Sequence, residues 1–290
     1  MIKFHIQSGV LVGVEYFGNE MVLNVPSDVK VIKRIKIEEE IKEIIIPSSV
    51  ENIEIGAFLH GDKLNKITLL DNQNFIVQNK LLLDRKHTIV YLAERDIAGD
   101  VNIPSTVRAI SDHCFNNCKK IINVRLNDNI DYIGAFAFAG CRKLSNVQLP
   151  TVNSIELEES TFENCWSLKN ITIPDNVTGF GPCLFFDCHN LKKIEIKSKK
   201  IKTIPYECFM FCEKLIRLDF NDGIKRIEDA AFLGCFDITE ISSLNTVTEL
   251  VGNHIFDRDD KLTVFTSSNA VKEYCNNHGV KWLDNDVSTK

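Results

Sequence analysis

Apolar residues in this chain come in pairs two apart, and the pairs recur. Ile44 and Ile46, Ile67 and Leu69, Val124 and Leu126, Val147 and Leu149, Ile171 and Ile173, Ile194 and Ile196, and Leu218 and Phe220 each bracket one residue, polar in all but the first pair. This spacing puts both apolar side chains on one face of an extended segment and the residue between them on the other. Pro47, Pro104, Pro150 and Pro174 follow such segments directly. A proline there removes a backbone donor and ends the strand. A Val/Ile pair comes next (Val50 and Ile53; Val107 and Ile110), then a residue that is small in most repeats (Ala57, Cys114, Ala137, Cys208 and Ala231), then Phe58, Phe115, Phe138, Phe162, Phe185, Phe209, Phe232 or Phe256. From Phe115 onward these phenylalanines keep a near-constant interval that alternates between a shorter step, as from Phe115 to Phe138, and one longer by a single position, as from Phe138 to Phe162. A fixed period of this size means one supersecondary unit stacked on copies of itself, a repeat solenoid. The pattern predicts a mainly β coil with a parallel sheet on one face, strands about 4.8 Å apart, and a tight or short helical turn driving each Phe ring inward.

The period extends back to Ile35, which occupies the Phe slot one shorter step before Phe58. Two segments break it. Residues 4–26 and 75–104 both carry alternating apolar runs separated by polar turn residues, which predicts β-hairpins laid beside the stack. Ser268 or Asn269 can cap a short helix over residues 268–279, ending at His278-Gly279 and covering the last coil with Val271, Tyr274 and Cys275. The chain therefore divides into an N-terminal cap with hairpin (1–34), repeats (35–265) with a hairpin insertion at about 71–102, and a C-terminal cap (266–290), all within a single solenoid spanning 1–290.

The stretch IPxxVxxI…AFxxCxxLxxIxIP from Ile103 to Pro150 resembles the BspA-like leucine-rich repeats, and the likeness covers roughly residues 25–265. The hairpin ahead of an IPxxV element and the ending with Tyr274 and Trp282 are similar to features of that family. The resemblance implies a right-handed leucine-rich-repeat solenoid, adhesion or macromolecule binding as its use, and no catalytic residues. Gly179-Phe180-Gly181-Pro182 departs from the usual Val-x-x-Ile step.

Composition narrows the reading. Of 290 residues, 44% are hydrophobic and 26% charged, with a net charge of −6. The acidic balance argues against nucleic acid as a partner. No apolar run is long enough to insert in a bilayer, which takes roughly 18 residues or more, and the N-terminus lacks the apolar stretch and cleavage site of a signal peptide. With the starting Met and the thiols described next, this points to the cytoplasm; the resemblance implies the cell surface or secretion instead.

Six of the ten cysteines (Cys118, Cys141, Cys165, Cys188, Cys212, Cys235) stand at the third position after a Phe. Stacked in parallel their Cβ vectors align, which is poor disulfide geometry, and a buried thiol packs as a small hydrophobe. Such a reduced ladder is expected in place of metal sites built from His113, Cys114 and Cys118 or from Cys183, Cys188 and His189, which lack paired CxxC spacing. No cofactor is expected. The seven histidines share no column, and no phosphate loop, HExxH or GxSxG occurs.

The residues flanking each central strand position face outward on the expected concave surface: Lys66 and Thr68, Asn123 and Arg125, Asn146 and Gln148, Asn170 and Thr172, Lys193 and Glu195, Arg217 and Asp219, and Glu240 and Ser242. Aligned polar columns can hold a protein or glycan partner through many moderate contacts, although any solvated sheet face is polar and few aromatic anchors occur here. Lys197, Lys199, Lys200 and Lys202 form a basic turn; Tyr16, Phe17 and Tyr91 on the hairpins read as exposed aromatics that cover the flank of the stack. The expected assembly is a monomer or weak dimer, with a self-assembling scaffold as the structural alternative and an enzyme site formed across coils as the remote one.

Overall fold

The computed structural model describes residues 1–220, 223–256 and 261–284. The chain winds as a solenoid in which each coil lays down one strand on a polar face, turns a corner, and lays down a shorter return strand before the Phe turn. The polar-face strands are Val22–Asn24, Glu43–Pro47 and Lys66–Leu70, then Ala98–Asn102, Lys120–Arg125 and Asn146–Gln148, then Asn170–Ile173, Lys193–Ile196, Arg217–Asp219, Glu240–Ser242 and Thr263–Phe265, with Lys281–Leu283 closing the row. All pair in parallel where they pair. A second set of ladders runs through the return strands, such as Ala109–Ile110 with Tyr132–Ile133 and Arg226–Glu228 with Glu249–Val251.

The aromatic column is continuous from Phe115 to Phe256. Successive rings stack at 5.1 to 5.7 Å between centroids with interplanar angles of 10° or less. The backbone supports the same spine, since the Phe115, Phe138 and Phe162 amides donate to Ala137, Thr161 and Leu184 carbonyls of the next coil. The thiols complete it. Cys141, Cys165, Cys188, Cys212 and Cys235 each donate to the carbonyl of the preceding coil's Phe at 3.1 to 3.3 Å. The turn holding each ring is a tight, non-helical one, the first of the two forms that the spacing predicts. Its left-handed residues on both sides of the Phe interrupt any helix.

The ladders do not run unbroken, and the breaks follow the repeat length. Strands separated by the shorter step pair along their length, as Asn123 with Asn146, Asn170 with Lys193 and Arg217 with Glu240. Where the step is one position longer, pairing fails. Asn146–Gln148 and Asn170–Ile173 belong to separate sheets, and so do the return strands Tyr132–Ile133 and Ile155–Leu157. At the next longer step the polar face keeps a single registered pair, Lys193 with Arg217, and the return strands Val177–Phe180 and Thr203–Ile204 separate. The extra residue lies in the corner between the two strands: Val147 to Leu157 spans one position more than Ile171 to Phe180. The step from Phe232 to Phe256 is also a longer one, but its extra residue falls after Leu250, and both ladders pass it intact. At the two open steps the Phe138 and Phe185 amides still reach the next coil at 2.9 Å. The coils thus part at their strands while remaining closed at the spine.

The insertion differs from a hairpin laid beside the stack. Phe75–Gln78, Leu81–Asp84 and Ile89–Ala93 form an antiparallel meander whose last strand joins Ala109–Ile110 in parallel. It stands across the solenoid, with Leu82 and Leu92 in the N-terminal core and Leu81, Leu83 and Val90 in the C-terminal core. Tyr91 is buried against Phe75 and not exposed; Phe17 is exposed, and Tyr16 donates to the Lys36 carbonyl. Arg95 follows the meander and is 4% exposed. Its guanidinium donates to the carbonyls of His60, Gly61, Ala93, His113 and Cys114, tying the coil of Phe58 to that of Phe115.

Phe180 fills the Ile slot of the departing Gly179–Pro182 segment, edge-on to Phe185 at 6.4 Å. Gly181 is required there, because a Cβ would lie 2.3 Å from the Glu159 amide nitrogen. The closing helix, Asn269–His278, is capped by the Ser268 hydroxyl and by left-handed Gly279, and buries Val271, Tyr274 and Cys275. Residues 285–290 of the expected C-terminal cap lie outside the described residues.

Candidate binding face

Strand pleating turns the aliphatic pairs inward, so the intervening residues must face water. The side chains of Lys66, Arg125, Asn146, Gln148, Asn170, Thr172, Lys193, Glu195, Arg217 and Asp219 are exposed, and those of Thr68, Asn123, Glu240 and Ser242 are half-buried. Register brings Asn123 beside Asn146, Arg125 beside Gln148, Asn170 beside Lys193 and Thr172 beside Glu195. Farther on, Arg217 stands beside Glu240 and Asp219 beside Ser242.

Lys66 and Thr68 are not continuous with these columns. Their strand pairs with Glu43–Pro47, and Ala98–Asn102 takes the place next to Lys120–Arg125. Asp100 and Asn102 therefore belong to the face beside Asn123 and Arg125, and sequence reasoning missed them. The signal was Val101 and Ile103 ahead of Pro104, an aliphatic pair of the same kind, read as the tail of the insertion.

Several of the polar groups satisfy one another. Asn146 donates to the Asn123 carbonyl oxygen at 2.7 Å, and Asn123 donates to Asp100 at 2.5 Å. Thr68 donates to Glu43 at 2.6 Å and Lys66 lies 2.9 Å from it; these two contacts hold the Glu43 carboxyl below its ordinary range. Arg217 pairs with Glu240 at 3.1 Å, and the Ser242 hydroxyl donates to Asp219 at 2.9 Å. Arg125, Gln148, Asn170 and Lys193 have no side-chain hydrogen bond or ion pair among the described residues. These long groups stand ready without a bond to break.

The two open steps make clefts on this face. One of 370 Å³ lies between Asn146–Gln148 and Asn170–Ile173, and another of 530 Å³ lies beside Lys193, Glu195 and Arg217. The first is nearly uncharged and the second carries both signs. The basic residues Lys197, Lys199, Lys200 and Lys202 occupy the longer corner at the second opening and are exposed.

The cysteines offer little chemistry. Burial pushes the Cys141, Cys165 and Cys212 thiols well above their ordinary range. Cys183, half-buried beside Glu207, is pushed up to about 12, while Cys188 points instead to the Phe162 carbonyl. Among the described residues no three His, Cys, Asp or Glu groups stand close enough to share a metal ion. Two histidines that share no column do meet: His60 and His113 lie 5.8 Å apart across the Arg95 seam, and His113 stacks on Phe136 at 4.8 Å. They line a cleft of 450 Å³ with Asp62 and Arg142. Desolvation lowers His113 to about 4.

A parallel ladder of aliphatic pairs with a Phe spine and an open polar row defines a leucine-rich-repeat solenoid. The sequence profile of the BspA type leucine rich repeat region matches residues 22–82, 96–199 and 140–263 in six copies, and the chain belongs to that family. Solved structures agree on the fold. A leucine-rich repeat protein from Eubacterium ventriosum is 21% identical with a TM-score of 0.57, covering 86% of this chain and 68% of its own. The Treponema pallidum leucine-rich repeat protein is 22% identical with a TM-score of 0.57, covering 72% and 94%. The pneumococcal vaccine antigen PcpA is 17% identical with a TM-score of 0.53, covering 92% and 80%. No curated protein sequence matches the chain.

Proposed function

We propose that this protein is a non-catalytic binding module that holds a protein or glycan partner on the polar strand face. The observation that carries the reading is two pairs of unbonded polar side chains, Arg125 with Gln148 and Asn170 with Lys193, each held in register on paired strands on either side of the first opening. A rigid ladder lowers the ordering cost of engaging such groups, and many moderate contacts along a solenoid sum to useful affinity. Capture of a partner by the purified chain tests this. The variant carrying Arg125→Glu, Lys193→Glu and Arg217→Glu is expected to lose capture; capture at the original level would move the site off this face.

The setting follows from the same features. Buried thiols with raised pKa values resist oxidation in either compartment, so the ladder does not argue for a reducing interior. The family resemblance then favours work at the cell surface, tested by protease shaving of intact cells.

One observation favours self-assembly as a second reading. Val22–Asn24 is the outermost strand of its sheet, and Phe17 and Met21 beside it are exposed. An open edge with apolar flanks is a pairing template. Light scattering distinguishes the readings: the binding module is expected to be a monomer, and a stable oligomer abolished by Phe17→Ser and Met21→Ser would favour assembly.

A further inference from the structure

The opening between Asn146–Gln148 and Asn170–Ile173 differs in chemistry from the rest of the polar face. Its rim is Asn146, Gln148, Asn170 and Thr172, its floor is Val147 and Ile171, and Lys197 carries the only charge among its described lining residues. Among the described residues, no backbone hydrogen bond joins the two strands across it. Peptide groups on both facing edges therefore lack the strand partners that the same groups have at the shorter steps. The cleft volume of 370 Å³ falls within the roughly 300–1,000 Å³ of small-ligand sites.

The uncharged rim and the aliphatic floor select the same ligand chemistry. A side-chain amide offers two donors and a carbonyl acceptor, so Gln148 and Asn170, both unbonded, present donors and acceptors side by side. A hydroxyl needs a donor and an acceptor at once, and vicinal hydroxyls need them in alternation. An anion would leave the amide carbonyls facing negative charge, and a cation would oppose the amide donors. An extended peptide would need a long free strand edge to pair along, whereas these two edges face each other across a narrow gap. The aliphatic floor suits the C–H face of a sugar ring.

We propose that this cleft binds a neutral, hydroxyl-rich ligand, one or two residues of an uncharged oligosaccharide, with Gln148 and Asn170 bonding the hydroxyls and Val147 and Ile171 packing against the ring. The inference deepens the reading of the strand face as a binding surface and rests on it. The Thr172 hydroxyl donates to Glu195 at 3.3 Å, so its oxygen remains able to accept.

The test uses the full chain on a printed array of neutral and anionic glycans, followed by titration calorimetry with the best neutral hexose oligomer. Gln148→Ala and Asn170→Ala are expected to weaken binding about tenfold each, and Lys33→Ala, on the return side in an exposed pair with Glu54, to leave it unchanged. Both lining positions are exposed, and unchanged melting temperatures would show that the variants fold. A silent array, binding confined to sulfated or sialylated glycans, or neutral binding indifferent to both substitutions would each overturn the proposal. If the array is silent while a protein partner is still captured through Arg125, Lys193 and Arg217, the saccharide inference falls and the broader reading stands.

Discussion

Two residues in each coil from Phe58 to Phe232 hold left-handed backbone, two positions before and two after the Phe. The later position reads His60, Asn117, Gly140, Asn164, Asp187, Phe211 and Gly234; the earlier reads Gly56, His113, Phe136, Ser160, Cys183, Glu207 and Ala230. Asn, Asp and Gly tolerate this conformation and most residues resist it, so the later column, Phe211 apart, is written in tolerant residue types, while the earlier, Gly56 apart, is held by its surroundings. His113 illustrates the holding. Its φ is 54° and its ring is clamped on Phe136 with Nδ1 unbonded. Its folded pKa is lowered to about 4, below the ordinary value of about 6.5. The unfolded chain therefore binds a proton that the folded chain refuses, and stability is lost as pH falls from about 6.5 towards 4, by about 2–3 kcal/mol. His113→Asn, which suits left-handed backbone, is expected to flatten this part of the pH profile. Thermal denaturation across that range checks it; an equal loss in both proteins would remove His113 as the cause.

At the scale of elements, corner length governs pairing. Residues 149–154 form the longer corner at the first opening, and Val152 within it is 68% exposed. Deleting Val152 restores the shorter step, which elsewhere gives a full ladder. The two strands are expected to pair, slowing amide exchange at residues 146–148 and 170–173 and abolishing oligosaccharide binding. Unchanged exchange would break the link between corner length and cleft. Much at this scale was legible in the sequence. The aliphatic pairs, the Phe column, the thiol column and Ile35 in the Phe slot all occupy their predicted places, because each lies in a column that several coils repeat. The alternation of shorter and longer steps was visible too, yet counting between phenylalanines does not show which arm carries the extra residue. The face residues Asp100 and Asn102 were hidden by the meander before them. Asn72, Asn127 and Asn176 went unnoticed as well; each donates to carbonyls in the corner of an earlier coil. Their offsets from the preceding Phe drift, and a drifting column escapes a fixed frame.

For the molecule as a whole, the seam at Arg95 divides the interior. Two cores meet at the meander, and the Phe spine starts anew at Phe115. Among the described residues, Arg95 bridges them with a buried cation bonded to carbonyls and, weakly, to Cys118. No repeat exists to align it against, so nothing in the sequence marked it. Arg95→Leu removes the side-chain donor that these carbonyls share, although Gly61, His113 and Cys114 each keep a backbone donor, and breaking such a buried charged network costs about 3 kcal/mol. Because solenoid cooperativity depends on contact between neighbours, calorimetry of this variant is expected to resolve separate transitions for the two parts. A single transition at the original temperature would show that the meander alone couples them.

The corner rule also bears on how such an array can grow. Duplicating one shorter step together with one that has the longer corner inserts another gap in the row; duplicating two shorter steps extends the molecule and inserts none. Length and valency are thus set by different parts of the coil. A single residue gained or lost at a bend can alter how many guests the protein holds without touching its interior.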